Sequence, residues 1–180
     1  PGKLTLTNCQ ASGNGGNDFE KVKNTTGTSG TEQSKLDGTY YIKNVHSGLY
    51  LDIENGLFAN GTNLRQWGLN KYDAQKFKLV SEGNGIYHIL TGASKYKSCL
   101  DVYTGSAKDG TNIAQWNYWG GDMQKFKIVK VANNKYAFLT KSSNYKSCLD
   151  LYEMSKNSGA NICEWNYWGG EGQLWQLISV

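Results

Sequence analysis

Along most of the chain apolar and polar residues alternate in short runs, the two-residue period of strands with one buried face. The longest such runs are GTYYIKNV (38–45), GIYHILTG (85–92) and KYAFLTKS (135–142). Three shorter segments follow each of them. YLDI, CLDV and CLDL predict second strands, NLRQW, NIAQW and NICEW third strands, and QKFKLV, QKFKIV and QLWQLI fourth strands. The expectation is four strands in each of three units, about twelve between Asp37 and Val180.

The units keep a common register of 49 residues, carried by Asp52, Asp101 and Asp150, by Gly61, Gly110 and Gly159, by Trp67, Trp116 and Trp165, by Gln75, Gln124 and Gln173, and by Phe77, Phe126 and Trp175. One four-stranded unit cannot bury its apolar face alone, so three units sharing one core predict a closed, threefold all-β body. The predicted organisation is a leader or linker over residues 1–36, a possible tail of a preceding domain with a strand at KLTLT, and a repeat domain over 37–180. Its repeats span about 37–83, 84–132 and 133–180.

Composition agrees with short strands and many turns, with 22 Gly, 12 Tyr, 6 Trp and one Pro. The net charge of +4 comes from lysines scattered among acidic residues, so the chain lacks the basic stripe that nucleic acid requires. No window reaches the roughly 20 apolar residues of a membrane span. No signal peptide is visible, and the start at Pro1 reads as a processed or excised product.

Side chains alternate across a strand. In CLDVY, Leu100 and Val102 therefore point to the core, with Asp101 and Tyr103 outward. In NIAQW, Ile113 points inward and Trp116 outward, which turns Gln115 away from Trp116. The third repeat places Asp150, Tyr152 and Trp165 in the same way. Asn117, Tyr118 and Trp119, with Asn166, Tyr167 and Trp168, follow in the two NYWGG loops. A carboxylate beside flat aromatic rings suits a sugar, because the acid accepts hydrogen bonds from ring hydroxyls while an indole covers the C–H face. Between residues 96–126 and 145–175, 18 of 31 positions are identical, polar and aromatic letters among them. A core alone would not demand that, since it tolerates exchanges such as Phe126 for Trp175.

The threefold unit, with an LD pair, a Trp fifteen residues later and a closing Q-x-F or Q-x-W, resembles the ricin B-chain-like β-trefoil of family 13 carbohydrate-binding modules over Asp37 to Val180. The resemblance implies one pocket per repeat. Carried over, these are Asp101, Trp116, Trp119 and Gln124, then Asp150, Trp165, Trp168 and Gln173. The first repeat supplies Asp52, Trp67, Asn70 and Gln75, but its GLNKYD loop lacks two aromatic letters and predicts a weak or silent site. Where the family has Asn before the closing Gln, this chain has Ala74, Met123 and Gly172, and the expectation is that Asn117 and Asn166 replace the lost hydrogen bond. The family's intrarepeat disulfide would need partners at Tyr118 and Tyr167, so Cys99 and Cys148 lack it. A bridge between Cys148 and Cys163 stays open, and Cys9 lies outside the repeats.

One carboxylate per repeat suits grip, not the paired acids of glycoside hydrolysis. The expectation is a non-catalytic module, without cofactor or metal, that binds a poly- or oligosaccharide as a monomer and tethers a secreted glycoside hydrolase whose catalytic domain precedes it. The resemblance favours galactose or β-galactan. The alternatives are a xylan- or arabinose-binding module, a protein-binding or inhibitor trefoil without a sugar site, and a toxin or agglutinin subunit.

Overall fold

A computed structural model describes residues 35–105 and 107–180. The leader, apart from Lys35 and Leu36, the strand expected at KLTLT and Cys9 lie outside the described residues. Twelve strands appear where the alternating segments placed them. The first repeat has β1 (Gly38–Asn44), β2 (Tyr50–Ile53), β3 (Thr62–Trp67) and β4 (Phe77–Gly83). The second has β5 (Ile86–Thr91), β6 (Ser98–Val102), β7 (Thr111–Asn117) and β8 (Phe126–Ala132). The third has β9 (Lys135–Thr140), β10 (Ser147–Leu151), β11 (Ile162–Asn166) and β12 (Trp175–Ser179).

The pairings close. β1 joins β4, β4 joins β5, β5 joins β8, β8 joins β9, β9 joins β12 and β12 returns to β1, all antiparallel. This six-stranded ring has no free edge, which removes the pairing hazard of an open sheet. The hairpins β2–β3, β6–β7 and β10–β11 form a second layer that caps one end. They meet through β3–β7, β7–β11 and an Arg65–Asn161 bridge. There Asn63 Nδ2 donates to Asn161 Oδ1 (3.0 Å), Asn161 Nδ2 to Asn112 Oδ1 (2.9 Å) and Asn112 Nδ2 to Asn63 Oδ1 (2.8 Å), a cyclic triad with one residue from each repeat. The architecture is a β-trefoil.

The core is built in equivalent layers, such as Leu51, Leu100 and Leu149, then Leu64, Ile113 and Ile162, then Phe77, Phe126 and Trp175. All of these are fully buried. Trp175 is the odd member of its layer, and its indole N–H finds the Leu149 carbonyl at 3.3 Å, so the larger ring leaves no orphaned donor.

Candidate functional site

In each repeat the turn before the closing strand is a 3-10 turn ending in the repeated Gln: Asp73–Gln75, Asp122–Gln124 and Glu171–Gln173. All three glutamines are fully buried. Gln124 Oε1 accepts the Trp119 and Gly120 N–H groups (2.8 and 3.1 Å), and its Nε2 donates to the Asn117 carbonyl and to Asp101 Oδ2 (both 2.9 Å). Gln173 holds Trp168, Gly169 and Asn166 in the same way. These glutamines act as staples that fix the loop and the acid together, and they offer a ligand nothing directly.

The acids sit deeper than strand parity suggested. Asp101 is 7% exposed and Asp150 6%, because the stapled loop folds over the outer face of β6 and β10. The position is the floor of a pocket, not the open surface. Trp119 Nε1 donates to Asp101 Oδ2 at 3.3 Å. Burial raises the pKa of Asp101, and the hydrogen bonds from Gln124 and Trp119 offset part of that rise. Asp150 is raised by burial too, with Gln173 and Trp168 opposing. No cation pairs with either acid among the described residues. The floor thus carries a carboxylate with no counter-charge.

Above Asp101 opens a cavity of about 420 Å³ walled by Tyr103, Trp116, Trp119 and Met123. Tyr103 and Trp116 lie 5.9 Å apart at a tilt of 48°. In the third repeat Tyr152 and Trp165 repeat this at 6.3 Å and 54°. Trp119 and Trp168 are 60% and 56% exposed, indoles left bare beside a buried acid.

Gly120 and Gly169 have φ near +80°, where a side chain is strained. Gly121 and Gly170 have ordinary backbone, yet a Cβ there would fall 1.8 and 1.7 Å from the Trp119 and Trp168 rings. The second glycine leaves open the space beside the main chain that the indole ring fills.

Besides the glutamines, four further expected contacts are not brought to the pocket. The β6–β7 register pairs Ser98 with Asn117 and Asp101 with Ala114, so Asn117 shares the face of Ile113 and Gln115, opposite to Asp101. Its Oδ1 accepts from Ser98 Oγ at 3.2 Å, and it does not supply the hydrogen bond lost at Met123. Tyr118 stacks on His88 with centroids 4.4 Å apart and donates to Glu82 at 3.2 Å. Asn166 follows the same register in β10–β11, and Tyr167, just past the end of β11, packs against the cluster of Ala137, Leu139, Cys148 and Leu174. Parity turns Asn117 and Asn166 away, and beyond the strand ends it no longer governs the loop, where Tyr118 and Tyr167 take contacts of their own. Cys99, Cys148 and Cys163 are buried and free, so the bridge left open between Cys148 and Cys163 is not formed.

Met123 has a different task from the Asn it replaces. A Cβ on Gly105 would lie 2.8 Å from Met123 Cε, and one on Gly172 would lie 2.4 Å from Met154 Sδ. Gly105 and Met154 are equivalent positions, as are Met123 and Gly172. The same gap is therefore filled by a thioether reaching from opposite sides in the two repeats. A comparison of the two repeats position by position contains this swap, although its meaning needs the contact.

The first repeat differs. Asp52 Oδ1 accepts from Arg65 Nε at 3.0 Å, and Arg65 also meets Glu54 at 3.3 Å. Burial still raises the pKa of Asp52, against the lowering hydrogen bond and charge of Arg65. A second cavity of about 420 Å³ lies here, lined in part by Asp52, Arg65, Trp67, Asn70 and Tyr72. Sequence reasoning passed over Arg65, although the 49-residue register sets it against Ala114 and Cys163.

The chain matches the family model described as ricin-type beta-trefoil lectin domain-like over residues 28–116 and 99–165. Among solved structures it is similar to the designed threefold symmetric protein ThreeFoil, with 34% identity and a TM-score of 0.76 over 80% of this chain and 100% of that one. It is also similar to 1,3Gal43A, an exo-β-1,3-galactanase from Clostridium thermocellum, with 28% identity and a TM-score of 0.74 over 82% of this chain and 31% of that one. The Rhizoctonia solani agglutinin shares the fold at 23% identity and a TM-score of 0.72, covering 82% of this chain and 98% of that one. A curated relative, the clotting factor G alpha subunit of Tachypleus tridentatus, is 33% identical over 73 residues, which is 40% of this chain and 11% of that protein.

Proposed function

The chain belongs to the ricin-type β-trefoil lectin domain-like family, and from that premise we propose that it is a non-catalytic carbohydrate-binding module whose second and third repeats each grip one sugar of a galactose-containing polysaccharide. The observation that carries this reading is the repeated pairing of an uncompensated, stapled carboxylate, Asp101 or Asp150, with bare indole faces. Adjacent hydroxyls of a pyranose would donate to the acid, and the C–H face would rest on Trp116 or Trp119 in one repeat and on Trp165 or Trp168 in the other. Galactan is favoured over xylan because the 28%-identical structure of partial coverage is an exo-β-1,3-galactanase.

Two shallow sites on one rigid body reinforce each other on a polymer that presents many equivalent units. The role that follows is tethering of a secreted glycoside hydrolase, with catalysis performed by another domain of the parent chain. Affinity electrophoresis in β-1,3-galactan tests it. The parent protein should be retarded and D101A/D150A should not, while both keep the same thermal midpoint within a few degrees. Equal mobility of the folded double variant would favour the protein-binding reading instead.

A further inference from the structure

The first-repeat pocket has the two elements on which the proposed sites rest, an acid on the floor and an indole at the wall. Asp52 is as buried as Asp101, and Trp67 is 38% exposed. Both are already engaged. The Arg65 guanidinium lies over the Trp67 ring, its central carbon 4.5 Å from the centroid, where the C–H face of a sugar would rest. Its Nε–H donates to Asp52, where a sugar hydroxyl would donate. Nη1 donates to Glu54 Oε1 at 3.3 Å and Nη2 to Asn55 Oδ1 at 3.5 Å.

The substitution is a paired one. In the 49-residue register Arg65 stands where the other repeats have Ala114 and Cys163, and Glu54 stands where they have Tyr103 and Tyr152. The tilted Tyr–Trp pair of repeats two and three is thereby exchanged for a Glu–Arg–Trp stack with Asp52 beneath it. The Arg65 side chain is 14% exposed and that of Asp52 is 4% exposed, so the pair is held within the wall and is not a loose surface contact. A neutral sugar entering here would have to displace a charged group from a partly buried carboxylate and leave that charge without its partner, which costs more than the hydroxyl contacts return.

We infer that Arg65 is the specificity-determining residue of the first repeat: from the pocket's lining it takes the contacts to Asp52 and Trp67 that a ligand would make, and so makes the pocket refuse the neutral saccharide that the other two take. The inference rests on the sugar-binding reading above. It moves the cause of silence away from the loop, where Asn70, Lys71 and Tyr72 replace Trp, Gly and Gly.

The test uses D101A/D150A as background, so that only the first pocket can act. Into it go R65A, which installs the residue of the second repeat, R65C, which installs that of the third, and N70W/Y72G, which rebuilds the loop with Arg65 in place. Y72G is needed in that graft because the indole occupies the space of a Cβ at the equivalent Gly121. Near-ultraviolet circular dichroism selects the folded proteins, and electrophoresis in β-1,3-galactan reads binding. R65A or R65C should regain a retardation that the background lacks, and N70W/Y72G should not. Retardation of N70W/Y72G with Arg65 present, or none in either folded Arg65 variant, overturns the inference. The parent protein runs alongside: if it is not retarded, the sugar-binding reading itself has failed, and the two failures are told apart.

Discussion

Glu164 is a fully buried carboxylate at a position where the other repeats have Gln66 and Gln115. Each of those glutamines uses Nε2 to reach the connecting loop of another repeat. Gln66 donates to the Ser155 and Asn157 carbonyls at 2.8 and 2.9 Å, and Gln115 to Leu57 and Ala59 at 3.1 and 3.4 Å. The 49-residue register makes Lys108 the counterpart of Ala59 and Asn157. Glu164 Oε1 accepts from Thr140 Oγ1 and, at 3.0 Å, from Ser142 Oγ, but Oε2 is buried without a partner among the described residues. The charged neighbour that acts on it is Asp109, of like sign, and no cation pairs with it among the described residues.

Glu164→Gln restores the donor. Relief of one buried unsatisfied acceptor is worth about 1–3 kcal/mol at neutral pH, which for a domain of this size raises the thermal midpoint by about 2–12 °C. Burial raises the Glu164 pKa above the ordinary value of 4.5, with Thr140 and Ser142 opposing and Asp109 adding to it. The folded state therefore holds the proton more tightly than the unfolded chain, so stability is lost as pH rises through the folded pKa and is spared below 4.5. The gap between variant and parent should be small at pH 4 and widen toward pH 7 in paired thermal melts. The other carboxylates cancel in the difference. A variant no more stable than the parent at pH 7, or a gap of equal size at both pH values, refutes the reasoning.

The acids proposed to grip the sugar should respond to pH in the opposite functional sense. Asp101 and Asp150 accept hydrogen bonds as carboxylates and have raised pKa values, so galactan binding should fade on acidification at a pH above the usual aspartate range, read by electrophoresis or calorimetry from pH 7 down to 4. Gly121→Ala should push the Trp119 indole off the main chain and weaken binding several-fold, while its extended φ of −77° keeps the change in thermal midpoint within a few degrees. If binding is unchanged, Trp119 is no wall of the site. Tyr118→Phe removes only the 3.2 Å bond to Glu82 on the far side of the loop, so galactan affinity should match the parent. A loss of several-fold would return Tyr118 to the pocket.

Twelve strands, three repeats and a closed all-β body are legible in the chain because strand burial has a period of two and a shared core imposes a period of 49 residues, both written in residue type. Asp101, Asp150 and the tryptophans fifteen residues on are legible too, since hairpin partners follow from parity. Sequence spacing does not report on which side of the pocket a loop residue stands: the NYWGG letters set Asn117, Tyr118, Asn166 and Tyr167 beside Trp119 and Trp168, yet the hairpin register turns the two asparagines away and Tyr118 and Tyr167 pack elsewhere. Nor does it report what a polar residue meets after folding. Gln66 reaches 91 residues to Asn157 and Gln115 reaches 58 residues to Leu57, and only closure of the trefoil brings such groups within hydrogen-bond distance. Local pattern determines the strands because each strand's burial is local; which polar groups one repeat lends to another is decided by contacts between residues that the chain keeps far apart until its three repeats close on one another.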